Sequence, residues 1–136
     1  MYKVDFEVKV EVNPTEDPDK VKIAVYKIFG DINLEAKEEK EVTLLIGKTS
    51  SLDGLSRFRD LLRRERIRNA ARTVLFKGLH EKRIIFYLNK QVAYVGHVSF
   101  SEPEGESPLG AIKVEIKCDD PQGLIDWLAP KTTRHS

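Results

Sequence analysis

The residues in this chain whose types and spacing could do chemistry are arginines, and they are gathered on one stretch. Residues 57–77 hold eight basic side chains, Arg57, Arg59, Arg63, Arg64, Arg66, Arg68, Arg72 and Lys77, against only Asp60 and Glu65. That is a net of +6 in a chain whose total is +1, so the remainder carries −5. A guanidinium group stays charged at any ordinary pH and presents a planar fork of donors that matches phosphate oxygens. Arg57, Arg63, Arg64, Arg68 and Arg72 are therefore the candidate residues for contact with the phosphates of an anionic partner such as RNA, from a convex helical surface. A second reading uses the same residues differently. Helical arginines lay their stems over apolar neighbours, or pair with carboxylates of the same or a second chain, such as those at residues 37–41. The charge pattern allows both.

Other chemistry-bearing groups have plainer explanations. Gly47-Lys48-Thr49 has the ending of a phosphate-binding loop, but the position five residues before Gly47 is Val42, inside an apolar strand pattern. Without a loop there, no backbone N–H groups converge on a phosphate. Gly96-His97-Val98-Ser99-Phe100 overlaps part of an RNA-recognition motif, yet Val95 and His97 stand where that motif places stacking aromatics. His80, His97 and His135 are scattered, with no metal-ligand spacing, so no metal or cofactor is expected. Cys118 is in phase with Ile112, Val114 and Ile116 and reads as a core residue, while Asp17 and Asp120 each precede a proline and read as helix caps. A small enzyme would need Lys90, Tyr94, His97 and Glu106 brought into one concave site; nothing in their spacing joins them, so the chain is read as non-enzymatic and without a small-molecule substrate.

Composition sets the frame. The chain has 136 residues, 40% hydrophobic and 33% charged, as one folded domain has. A pI of about 7.8 lies below the strongly basic range of a dedicated polyanion binder, so only a local patch is available. One cysteine excludes an internal disulfide. There is neither a signal-peptide pattern at the start nor an apolar run long enough for a membrane span, which gives a cytoplasmic expectation with no membrane partner.

The elements that must position the arginines follow from periodicity. Val4, Phe6, Val8, Val10 and Val12 alternate with charged residues and predict a strand with one buried face. Asp17-Pro18 starts a helix carrying Val21, Ala24, Val25, Ile28 and Phe29, and Gly30 stops it. Residues 32–36 and 42–46 form a hairpin with a charged tip. Ser50 or Ser51 caps the basic helix.

On that helix Leu52, Leu55, Phe58, Leu61 and Leu62 spread over one side. Ile67, Ala70, Ala71 and Val74 lie on a side rotated by about 160°. One straight helix cannot bury both stripes in one core. The stretch should break between Arg63 and Arg66, unless the second stripe enters a partner chain. Residues 83–88 are nearly all apolar and predict a strand covered on both faces, and Val92, Tyr94, Val98 and Phe100 predict another with Gly96 at a bulge. Residues 102–109 read as a loop. Residues 112–118 alternate again, and Asp120-Pro121 opens a last helix with Leu124, Ile125 and Leu128. Residues 1–130 thus form a single α+β domain, and 131–136 a polar tail expected to be disordered.

Several blocks resemble a family of small archaeal proteins of unknown function. They run in order from Asn13-Pro14-Thr15-Glu16-Asp17-Pro18 through Leu61-Leu62-Arg63-Arg64 and Tyr87-Leu88-Asn89-Lys90-Gln91 to Ala93-Tyr94-Val95-Gly96, and on to Cys118-Asp119-Asp120-Pro121 and Ile125-Asp126-Trp127-Leu128-Ala129-Pro130. The resemblance implies a two-layer α+β sandwich, a mostly antiparallel sheet with helices packed on one face, similar to the ribosomal protein that binds 5S RNA. It further implies the label RNA-binding, or an association with the RNA-degrading exosome, both assigned by similarity. It brings no catalytic residues. The expected partners are RNA or a second copy of the chain as a homodimer. The alternative function is an assembly module whose arginines pair with carboxylates and bind no RNA.

Overall fold

A computed structural model of the chain describes residues 3–102 and 110–132. Alternation makes β1 (Val4–Val12) a strand with Val4, Phe6, Val8, Val10 and Val12 all buried, and two neighbours complete its hydrogen bonds. These are β3 (Thr43–Thr49) on one side and β7 (Ala111–Cys118) on the other. The sheet runs β2-β3-β1-β7-β5-β4, with β2 Leu34–Glu38, β4 Leu79–His80 and β5 Arg83–Asn89. A short β6 (Phe100–Ser101) also pairs with β5. Every pairing is antiparallel, and the register aligns Gly47, Val8, Val114 and Phe86 in one row on the helix-covered face.

The helices cover that face alone. Helix α1 (Pro18–Phe29) begins where Asp17 accepts a hydrogen bond from the Asp19 N–H, and ends where Gly30, at φ +78°, donates to the Tyr26 carbonyl. Helix α5 (Pro121–Leu128) begins where Asp120 accepts from the Gly123 N–H at 3.0 Å. Between α1 and α5 in space lies α2 (Asp53–Arg64), followed by α3 (Arg68–Lys77).

The predicted break is present. The Arg66 N–H donates to the Arg63 carbonyl and the Ile67 N–H to the Leu62 carbonyl, and Arg66 sits at φ +59°. That is a Schellman turn, and it closes with Ile67 packed against the core. After it the second stripe enters the same core as the first. Ala71 and Leu75 are buried and Val74 partly so, while Ala70 stays exposed.

Phe58 is the centre of the packing. Its ring stacks on Phe86 at 5.4 Å between centroids, meets Phe29 at 5.4 Å, and has Phe100 edge-on at 6.5 Å. It joins the helix layer to the sheet. Gly78 stands where the chain leaves α3 for the sheet: the Ile85 N–H donates to its carbonyl, and a Cβ there would collide with the Ile85 carbonyl oxygen.

Three expectations are corrected. Residues 92–100 are no strand with a bulge. Asn89 accepts from the Val92 N–H at 2.9 Å and caps a short helix, α4 (Lys90–Tyr94), which buries Lys90 and Ala93; Gly96 then turns the chain at φ +88°. A five-residue helix is too short to show a helical period. Second, β5 is covered on one face only, since Ile85 and Tyr87 lie half-buried on the open face. Third, α2 starts at Asp53 with Leu52 in the cap position, and the Ser51 hydroxyl accepts from the Asp53 N–H as a turn ahead of the helix. The hairpin strands are shifted by one to three residues at their ends, and its tip closes through Glu39 N–H to the Val42 carbonyl. Most of the 102–109 loop, and residues 133–136 of the tail, lie outside the described residues. Among the described residues no helix is long and apolar enough to cross a membrane.

Phe58→Ala should cost about 3–5 kcal/mol of stability in urea unfolding, because it empties the junction of four rings. Ile23→Ala, on the outer side of α1, should stay within about 0.5 kcal/mol.

Candidate functional site

The eight basic residues divide by what they touch. Arg72 is turned inward: its Nη1 is 2.7 Å from Asp126 Oδ1 and donates to the Ala129 carbonyl at 3.2 Å, and its guanidinium lies over the Phe76 ring. Arg59 donates to the Trp127 carbonyl at 2.8 Å and stacks 5.2 Å from the Trp127 ring centroid. Both clamp α5 onto the α2–α3 hairpin, which is architecture. Arg68, half-buried, opens α3.

Arg57, Arg63, Arg64, Arg66 and, at the far end of α3, Lys77 remain exposed. Arg57 and Arg64 are seven residues apart, which places them on one flank of α2 about 10 Å apart along its axis. That flank faces α1, where Arg57 Nε donates to the Lys27 carbonyl at 3.2 Å. Arg63 is on the other flank, and its acidic neighbour Asp60 lies at 3.7 Å with both side chains more than half exposed. A pair so solvated is weak. Arg63 and Arg64 also fall in the last turn of α2, where the helix dipole favours cations.

Glu65 is the acid that would otherwise neutralise this surface. Its carboxylate accepts from the Val98 N–H at 3.1 Å and meets His97 Nδ1 at 2.9 Å, so it is directed to the segment after α4. Periodicity did identify the break, but not Arg66 as the residue in the left-handed position. The signal was available: a helix reversal there needs a positive φ, and neither Gly nor Asn is present to take it.

The open sheet face is the other large charged surface, and it is mixed. Glu7 lies 3.8 Å from Lys9 and 3.4 Å from Lys48, and Glu115 lies 3.3 Å from Arg83. Carboxylates interleaved with lysines on the same strands repel a phosphate backbone as often as they attract it.

The residues that an enzyme would have needed are only partly joined. Lys90 and Tyr94 line one cleft between α1 and α4, His97 is held by Glu65, and Glu106 lies outside the described residues. Lys90 is 3% exposed, and its ammonium donates to the Glu11 carbonyl at 2.7 Å and to both Glu16 oxygens at 3.1 and 3.3 Å. Glu16 in turn accepts from the Asn13 backbone and side-chain N–H groups. The cluster ties the β1–α1 turn to α4. Burial above all pushes the Cys118 thiol up from its ordinary value; an Asp120 backbone hydrogen bond opposes this and the Asp119 charge adds to it, so the thiol stays protonated at neutral pH. Gly47-Lys48-Thr49 lies within β3, as its apolar lead-in implied. Among the described residues no three His, Cys, Asp or Glu side chains gather as a metal site.

Comparison with known proteins places this architecture. A family model described as RNA binding matches residues 5–118. A UPF0201 protein of Sulfurisphaera tokodaii is 46% identical over 93% of this chain and 88% of its own length. One from Thermococcus onnurineus is 43% identical over 94% and 93%. The crystal structure of a UPF0201 protein from Methanococcus jannaschii superposes with a TM-score of 0.83 at 38% identity, covering 95% of each chain. A DUF54 protein from Methanothermobacter thermautotrophicus, at 20% identity and a TM-score of 0.66, shares the fold.

The division among the arginines is testable by stability alone. Arg72→Met should cost about 1–2 kcal/mol in urea unfolding, and Arg64→Met should stay within about 0.5 kcal/mol. Lys90→Met, which takes the ammonium away from the Glu16 carboxylate in the interior, should cost about 3–5 kcal/mol in the same measurement.

Proposed function

The chain belongs to the UPF0201 family of archaeal proteins, and from that premise we propose that it is a non-enzymatic RNA-binding domain whose contact surface is the outer side of the α2–α3 hairpin. Arg66 is the observation that carries this reading. Its left-handed backbone, at φ +59°, costs a non-glycine residue about 1–2 kcal/mol, and the Schellman turn it completes is ordinarily closed by glycine. Its side chain returns none of that cost through burial, since it is exposed beside Arg63 and Arg64. Backbone strain held by an exposed charged side chain points to a role for the charge.

The surroundings support it. Asp60 and Glu65 are the carboxylates of the stretch: the first is solvated and half-paired, the second is turned to His97 and Val98. Arg57, Arg63, Arg64 and Arg66 therefore present a convex cationic surface of the kind that contacts phosphates without reading bases. The description of the matching family model agrees in kind.

About four phosphate contacts would make log affinity for single-stranded RNA fall with log salt at a slope of about −3. Arg63→Glu with Arg64→Glu should weaken binding at least about tenfold and flatten that slope. Absence of binding at low salt, or affinity indifferent to the double change, rules the reading out. Arg66→Gly gives the sharper contrast: stability should rise by about 0.5–1 kcal/mol while RNA affinity falls, a trade expected of a strained functional residue.

A further inference from the structure

The cationic surface continues on its α1 flank into residues 94–97, where an aromatic ring, an exposed apolar side chain and an imidazole occur in succession. Tyr94 is 37% exposed and Val95 58%, in a chain whose large apolar side chains are mostly buried. The Lys27 ammonium stands 5.5 Å from the centroid of the Tyr94 ring. Arg57, bonded to the Lys27 carbonyl, follows, and Arg64 lies two turns further along the same flank of α2. The other end of the segment is fixed to the α2–α3 turn by the contacts of Glu65 with His97 and Val98. Aromatic segment and arginines are thus one continuous surface, joined at both ends.

Tyr94 is also a wall of the cleft between α1 and α4, a space of about 390 Å³. Val21 and Ala24 give it an apolar side, Gln91 an amide, and Lys20 a further cation. Two carboxylates line it as well, but both are engaged: Glu16 with Lys90 and Asn13, and Asp17 as the cap of α1. A flat apolar body with a hydrogen-bonding edge and a negative charge on either side fits these walls. A nucleobase within a strand has that form.

We propose that the α1–α4 cleft takes one unpaired base of a single-stranded RNA, stacked on Tyr94, with the adjoining phosphates on Lys27, Arg57 and Arg64. The inference rests on the RNA-binding reading above and assigns it a substrate class. Phosphate contacts alone accept duplex and single strand alike, whereas a base held in a duplex stack has no free face to lay on the Tyr94 ring.

The test compares a single strand of about 12 nucleotides carrying one 2-aminopurine with the matching duplex, by anisotropy and by 2-aminopurine fluorescence at fixed salt. Wild-type protein should prefer the single strand and quench the probe. Tyr94→Leu, at a half-exposed position, should weaken single-strand binding about tenfold, remove the quenching, and leave duplex affinity and the salt slope unchanged; Tyr94→Phe should retain both. Circular dichroism confirms that each variant is folded. Equal affinity for both RNAs, with Tyr94→Leu silent while the Arg63/Arg64 double change still abolishes binding, overturns the base cleft and leaves the RNA reading standing. Failure of the wild-type protein to bind either RNA at low salt overturns both.

Discussion

Two apolar stripes on opposite sides of one chain segment must enter the same core, and the rest of the structure depends on how that is done. The Schellman turn at residues 65–67 rotates the second stripe so that Ala71 and Leu75 join Leu55, Phe58, Leu61 and Leu62 over the sheet. Because the apolar side chains of both helices point inward, Ala70 and Phe76 excepted, the arginines between them are sorted by default. Those facing α5, Arg59 and Arg72, become clamps on its C-terminal carbonyls; those at the turn and on the α1 flank remain in water. One backbone reversal therefore settles the packing and the charge distribution together. It does so with an arginine in a conformation that glycine would adopt at lower cost.

That sorting gives the protein two unlike faces. The open side of the sheet carries alternating lysines and glutamates that pair with one another; towards β7, β1 sets Lys9 opposite Lys113 and Glu7 opposite Glu115, while Glu7 is offset by Lys48 directly opposite it on β3 and by Lys9 along its own strand. Like charges directly opposed cost stability, and the compensation leaves little net field. The helical side concentrates cations whose nearby carboxylates are turned elsewhere. Among the described residues, it is there that a near-neutral molecule gathers its arginines into a positive surface.

Much of this was legible in the sequence because its causes are local. Strict alternation specified β1 and β7, Asp-Pro pairs marked the starts of α1 and α5, and a helical wheel located the break in the basic stretch. The misreadings arose where the cause is distant or the element small. Helix α4 has one turn and an Asn cap, and the alternation of Val92, Tyr94, Val98 and Phe100 imitated a strand across it. Ile85 and Tyr87 suggested a covered second face, because an apolar run does not say which layers exist. Lysine is ordinarily a surface residue, and Lys90 is buried through a carboxylate 74 positions away. Likewise nothing near Glu65 announces His97. The arginines were visible as a group, but their separate roles required knowing where α5 would lie.

The central claim is a location: RNA meets the helical side, at the α2–α3 turn and the segment after α4, and leaves the sheet untouched. Amide chemical-shift mapping on titration with a single-stranded oligonucleotide measures this directly. The account predicts shifts concentrated at Arg57, Arg64, Arg66 and residues 94–97, with Lys9, Tyr87 and Lys113 unmoved. Shifts gathered on the open sheet face, or none at any residue at low salt, would contradict it.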